Sequence, residues 1–322
     1  LRRQRQMCIR DSTGEILTEK SGNLNLGIPG IMYVGGICGV IGSFFYENSL
    51  PSKADISALP AILIPIVCCL LGSLLMGLLY CLLTVTLRAN QNVTGLALSI
   101  FGTGIGQFIG EYMRVSENGY ISVSNMLKGY FQNSPFPKGL QDIPVVGGIL
   151  FGNSFFFYLA VACAVALYWY LNKTRSGLYL RSVGESPATA DAAGINVTLY
   201  KYLSTCIGAG ICGIGGMYMS MVNQSGVWVH NCVAGYGWLA VALVIFSTWS
   251  PVRGLICGLI FGAFTIMRLY VSIPGLAMQI YGMLPYAATI LVLIITSIRQ
   301  SREHAQPKSC GCLLYTSPSP RD

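Results

Sequence analysis

The sequence predicts an all-α fold, a polytopic bundle of transmembrane helices, on three observations. Of 322 residues, 53% are hydrophobic and 10% are charged, whereas soluble domains carry about 25% charged residues. Several apolar runs reach or exceed the ~20 residues that cross a bilayer. Glycine occurs 38 times, often at a spacing of four, which lets transmembrane helices approach closely.

The two ends are set aside first. Met7–Asp11 and Cys312–Ser317 read as translated sequencing-adapter sequence, with Pro318–Asp322 continuing it. Residues 1–12 and 312–322 are therefore expected to be artefact, and residues 13–311 to form one transmembrane domain. Without those ends the net charge falls from +8 to +5. Membrane topology explains that excess, and no nucleic-acid partner is needed.

Residues 13–27 read as a polar entry, and residues 28–46 as the first span. A short loop with Pro51 and Lys53 leads to residues 60–86, long enough to tilt. Residues 87–93 are a tight turn before the third span, 94–113. Residues 114–144, rich in Asn, Gly, Pro and aromatics, have no helical period and read as the longest loop. The fourth span, 148–171, ends on an interfacial aromatic belt, Tyr168-Trp169-Tyr170. Residues 172–201 are polar, and spans at 203–222, 233–249, 255–270 and 279–298 follow. That gives about eight spans, with one or more expected to be missing at the N-terminus.

Orientation follows from counting cations. Placing 172–201 inside gathers Lys173, Arg175, Arg181 and Lys201 there with Lys20, Arg88, Arg253, Arg299, Arg302 and Lys308. Lys53, Arg114, Lys128, Lys138 and Arg268 fall outside. The two-to-one excess identifies the inner side. Within the inner segment Ser186 can cap a helix, Pro187 suits its first position and Gly194 suits its C′ stop. A short helix of small residues at the membrane surface is a grip for another protein.

Little here argues for chemistry. There is no P-loop, HExxH or GxSxG pattern, and no carboxylate pair lies in an apolar run. Ten cysteines remain once the ends are removed, most of them in apolar runs where they act as small hydrophobes. Two histidines, His230 and His304, make a metal site improbable, so no metal, cofactor or catalytic residue is expected. Polar side chains near the membrane mark routes. Asn23 and Asn25 lie in SGNLNLGIPG, where broken backbone either lines the route or forms a surface loop. Asn90-Gln91-Asn92 caps a helix or faces the route, with Asn92 as the route candidate. Asn223, with Gln224, Trp228 and His230, is a polar, aromatic outer stretch able to meet a sugar or base. Glu111 and Arg268 lie near outer span ends, where they pair or snorkel. Gly254, Gly258 and Gly262 form a doubled GxxxG packing ridge, and Gly102, Gly106 and Gly110 repeat the spacing.

Four ordered stretches carry a resemblance. Residues 177–195 (GLYLRSVGESPATADAAGI) are similar to the cytoplasmic loop of ABC importer permeases of the ribose, simple-sugar, nucleoside and branched-chain amino acid group. Residues 19–30 (EKSGNLNLGIPG) resemble its entry motif and 87–91 (LRANQ) its turn; residues 234–238 (AGYGW), with Trp249, Pro251 and Gly254–Gly262, resemble its late spans. The nucleoside branch fits best, simple sugars next. Pro29 and Tyr236 depart from the usual polar residue and arginine.

The resemblance implies a permease subunit carrying a nucleoside or simple sugar across the bacterial cytoplasmic membrane. Two permeases, identical or paralogous, would enclose one route. A cytoplasmic ATPase would grip the 186–194 helix, and an extracytoplasmic binding lipoprotein would deliver the solute. Arg181, Gly184, Glu185, Pro187, Asp191 and Gly194 would form the coupling loop. Two other classes remain open: an ion-coupled transporter, which would want a membrane-buried carboxylate or histidine that the spans lack, and a non-transporting scaffold.

Overall fold

The structure is a computed structural model that describes residues 12–51, 56–116, 121–134, 152–230, 232–233 and 235–270, with scattered positions elsewhere. Its described elements are helical, in keeping with an all-α membrane bundle. Residues 12–20 form helix α1. Next come α2 (Ile28–Ser49) and α3 (Ala58–Cys81), the latter continued by a π turn at Leu82–Thr86. After α4 (Gln91–Ser116) and the short α5 (Asn125–Gln132) comes α6 (Phe155–Lys173). Then follow α7 (Arg175–Glu185), α8 (Pro187–Ala192) and α9 (Val197–Tyr218), which ends in a π turn at Met219–Asn223. The last two are α10 (Tyr236–Phe246) and α11 (Pro251–Tyr270).

Among the described residues, five helical stretches are long and apolar enough to cross a membrane: Ile28–Ser49, Ala58–Thr86, Gln91–Val115, Phe155–Lys173 and Val197–Asn223. The sixth expected span, 233–249, is shortened to α10, which at 11 residues is about 16 Å long and too short to cross. Backbone explains the cut. Gly235 turns the chain in with φ 80°, and Thr248 and Trp249 turn it out with φ 50° and 55°. The expected span at 279–298 lies largely outside the described residues.

Helices α2 and α9 form the centre with α3 packed against both, and glycine sets how closely α2 and α9 meet. A Cβ on Gly35 would stand 2.7 Å from Gly213 Cα, and one on Gly36 would stand 2.9 Å from the Gly216 carbonyl oxygen. Gly102 of α4 meets the Gly30 carbonyl of α2 in the same way, at 2.6 Å. Helix backbones touch directly at these crossings, as close packing in lipid requires. The expected Gly102, Gly106 and Gly110 ridge is one such surface, facing Gly30, Tyr33 and Trp228 in turn.

At the start of α6 the bundle is closed by aromatics and one carboxylate. Tyr33 meets Trp228 edge-on at 5.2 Å, while Phe156 packs on Phe131 and Tyr218, each at 5.6 Å. Glu47 Oε2 accepts the Ser124 N–H at 2.8 Å and so holds the start of α5 to the top of α2.

Candidate functional site

The 172–201 segment begins as two short helices with sharp ends. Thr174 Oγ1 accepts the Gly177 N–H at 3.0 Å and starts α7. Gly177 itself lies against the Tyr170 carbonyl, so α7 folds tightly back on α6. Pro187 opens α8 in its first turn, but the Ser186 hydroxyl makes no capping bond; Ser186 serves as cap by its extended backbone alone. Helix α8 closes on a Schellman motif: the Gly194 N–H donates to Asp191 O at 2.9 Å and the Ile195 N–H to Ala190 O at 3.0 Å. Gly194 holds φ 80° there, the left-handed position this stop requires. Asn196 Oδ1 then accepts the Leu199 N–H at 3.0 Å and starts α9.

One side of α8 is anchored and the other is bare. Ala190 is buried with Val85, Val183 and Val197, which ties α8 to α3, α7 and α9. Glu185, Ala188, Thr189, Asp191 and Gly194 are exposed, and Arg181 and Pro187 are half-buried. Gly184 rests on the Lys20 carbonyl at the end of α1. Burial pushes the Lys20 ammonium below the usual lysine range, with Glu185 opposing that shift and Arg181 adding to it. Lys201, expected in the solvated loop, instead lies buried near the start of α9, 1% exposed.

Asn23 and Asn25 lie in the turn between α1 and α2, 0% and 1% exposed. This is broken backbone, and helices on every side supply its partners. Asn23 Nδ2 donates to Thr205 Oγ1 at 3.0 Å, and Asn25 Oδ1 accepts the Gly27 N–H at 2.9 Å. The Tyr80 hydroxyl donates to Leu24 O at 2.6 Å, Gln91 Oε1 accepts the Leu24 N–H at 2.8 Å, and Ser99 Oγ donates to Leu26 O at 2.6 Å. Irregular backbone held wholly against protein is the form tolerated at this depth.

The four asparagines do not share a wall. Asn92 is exposed at the start of α4, and Asn223 is half-buried at the far end of α9. Asn90 is the cap of α4, its Oδ1 accepting the N–H groups of Asn92 and Val93 at 3.0 and 3.2 Å. Glu111 pairs with Arg114 and with His230 Nε2, the latter at 2.9 Å; the Arg268 side chain lies outside the described residues. Of the doubled GxxxG, Gly254 has ordinary room, its nearest neighbour Ile16 Cδ1 at 3.5 Å. Gly258 and Gly262 are buried.

Two expectations about the start of the chain are overturned. Residues 12–20 are no polar entry but a buried helix: Gly14 abuts the Gly208 carbonyl and Ile16 is fully buried. The interior also does hold carboxylates, Glu15 and Glu19, 1% and 2% exposed. Their i,i+4 spacing around Ile16 and Leu17 was the available signal, masked by the polar residues that follow. Among the described residues no group of three His, Cys, Asp or Glu side chains could hold a metal ion.

Residues 12–293 match the family described as branched-chain amino acid transport system / permease component. A nucleoside ABC transporter permease of Lactococcus lactis subsp. cremoris is 32% identical over 88% of this chain and 86% of its own length. A guanosine ABC transporter permease of Bacillus subtilis is 30% identical over 88% of this chain and 86% of its own. A putative glucose ABC transporter permease of Haloferax volcanii is 29% identical, over 89% and 87%.

Proposed function

The chain belongs to the family of branched-chain amino acid transport system permease components, and from that premise we propose that it forms the route of an ATP-binding-cassette importer for a nucleoside or a simple sugar. Its relatives are named for nucleoside, guanosine and glucose transport, which supports the solute class. The ATPase is a separate cytoplasmic subunit that seats on α8, a second permease completes the route, and a binding lipoprotein delivers the solute at the outer face of a bacterial cytoplasmic membrane.

One observation carries this reading: α8 is fixed at Ala190 and bare at Ala188, Thr189 and Asp191. An anchored helix with small exposed residues passes on a push from a docked subunit without deforming. The sequence carries no P-loop, and a docked partner that favours one of the permease's two states would bias them. Arg181, Gly184, Glu185, Pro187, Asp191 and Gly194 hold that contact. Asn23, Asn25, Asn92 and Asn223 are the route candidates, with Asn92 and Asn223 the accessible pair.

The test is a cysteine at Thr189 cross-linked to the ATPase encoded beside this gene, with uptake of labelled nucleoside followed in Glu185→Arg. Cross-linking at Thr189 with uptake lost in E185R is the expected outcome. Failure of Thr189 to cross-link to any nucleotide-hydrolysing subunit, with normal ATP-driven uptake in E185R, would overturn the docking role.

A further inference from the structure

Helix α1 carries two carboxylates one turn apart, and their surroundings differ. Glu19 accepts the indole N–H of Trp249. That indole reaches it from a corner where both Thr248 and Trp249 hold left-handed backbone, a conformation unfavourable for two successive non-glycine residues and kept only where the surroundings over-determine it. No side-chain donor meets either oxygen of Glu15, which is 1% exposed; the Asn25 backbone N–H and the Glu19 carboxyl are what face it. A buried carboxylate that accepts a hydrogen bond can keep its charge. One that no side-chain donor meets keeps it at a high cost, and two ionised carboxylates so close in a dry site repel strongly.

We propose that Glu15 and Glu19 form a proton-binding site in which Glu15 holds the proton and donates it to Glu19, while Glu19 stays ionised under the Trp249 indole. The other titratable groups around the pair belong to every neighbouring element. Tyr80 of α3 is committed to Leu24 O, and Arg253 of α11 donates to Thr248 Oγ1 at 2.7 Å. Arg181 of α7 has a buried Nε without a partner. Lys201 of α9 is buried, Lys20 follows Glu19 directly, and the Cys310 thiol donates to Glu19 O at 3.3 Å. Among the described residues no lysine or arginine pairs with Glu15, so the proton is what neutralises it.

Losing that proton would place two anions on successive turns of α1 and strain the Glu19–Trp249 contact. The end of α1 rests on Gly184, three residues before α8, so the foot of the exposed helix would feel the change. The site does not depend on which solute the protein carries or on where an ATPase docks, and its test reads the carboxyl groups directly.

That test is infrared spectroscopy of the purified full chain in lipid nanodiscs, titrated with pH. The wild type should show the absorption of about one protonated buried carboxyl at neutral pH, a band lost in Glu15→Gln and kept in Glu19→Gln. E15Q replaces a neutral acid with a near-isostere and should assemble. If it does not, E19Q alone decides, because loss of the band there removes the assignment to Glu15. Absence of the band in the wild type at neutral pH, or its persistence in E15Q, would overturn the proposal.

Discussion

Helices α4 and α9 begin with the same advantage and end in different places. Their spanning stretches share a mean hydropathy of 1.4, yet 39% of the first and 78% of the second is buried. The α3 stretch is more apolar than either, at 2.7, and only 28% buried. Apolarity therefore does not choose the centre of this bundle, since lipid accepts an apolar side chain as readily as another helix does. What separates α2 and α9 from the rim is glycine contact on more than one side, α2 with α9 and α4, and α9 with α2 and α1, where α4 has one such line against α2. The rim helices turn their side chains outward instead, with Ile100 76% and Phe108 72% exposed, a surface for lipid or for the second permease proposed above.

The most severe way to break this distinction is to put bulk at the crossing of α2 and α9. A Cβ on Gly216 would collide with the Met32 carbonyl, and no side-chain rotation relieves a clash with backbone. Gly216→Leu should cost more than about 4 kcal/mol, the range reserved for changes the core cannot absorb. Its readout is the loss of a monodisperse peak in detergent chromatography; a normal peak would mean that α2 and α9 can separate without harm.

Next comes a change at the exposed inner segment, which the comparison separates from folding. Gly194 has no atom within 4 Å of an added Cβ but holds φ 80°, which proline cannot adopt. Gly194→Pro should cost about 1–3 kcal/mol locally by undoing the Schellman stop. Insertion and assembly should survive while uptake driven by ATP falls to background, as measured with labelled nucleoside in vesicles. Loss of assembly as well would place α8 with the centre rather than with the surface.

A smaller effect is expected at the turn between α1 and α2. Gln91 is 2% exposed and accepts the Leu24 N–H, so Gln91→Leu leaves a half-buried donor unpaired at a cost of about 1 kcal/mol. A lowered melting temperature in detergent checks it. An unchanged one would show that water reaches the turn.

Much of this was legible in the sequence. The spans at α2, α3, α4 and α9 follow from apolar runs, because length against bilayer thickness is a strong constraint. The helix Pro187–Ala192 and its stop at Gly194 follow from local chemistry that a few residues decide by themselves. What stayed hidden depends on partners distant in the chain. Glu15, Glu19 and Lys201 look solvated by type, and only α7, α9 and the corner at Trp249 bury them. The break at Thr248 and Trp249 hid for a related reason: neither residue favours left-handed backbone, so no pattern announces it. The bond from the Asn23 amide to Thr205, 182 positions away, is likewise something no local pattern announces.

The mildest prediction tests whether glycine count or glycine position matters. Gly102 and Gly104 are two residues apart on α4, so they face different ways around the helix. Gly102 lies against the Gly30 backbone, while an added Cβ at Gly104 meets nothing within 4 Å. If glycine served α4 only by making it flexible, leucine at either site would act alike. If close approach to α2 is the reason, Gly102→Leu should disrupt assembly, whereas Gly104→Leu should stay within about 0.5 kcal/mol of the parent, as surface changes do, and gain slightly from leucine's better helix propensity. A melting temperature for G104L within a few degrees of the parent is the expected result. A large loss in G104L would show that this face of α4 is covered in the assembled protein, and would move α4 from the rim to an interface.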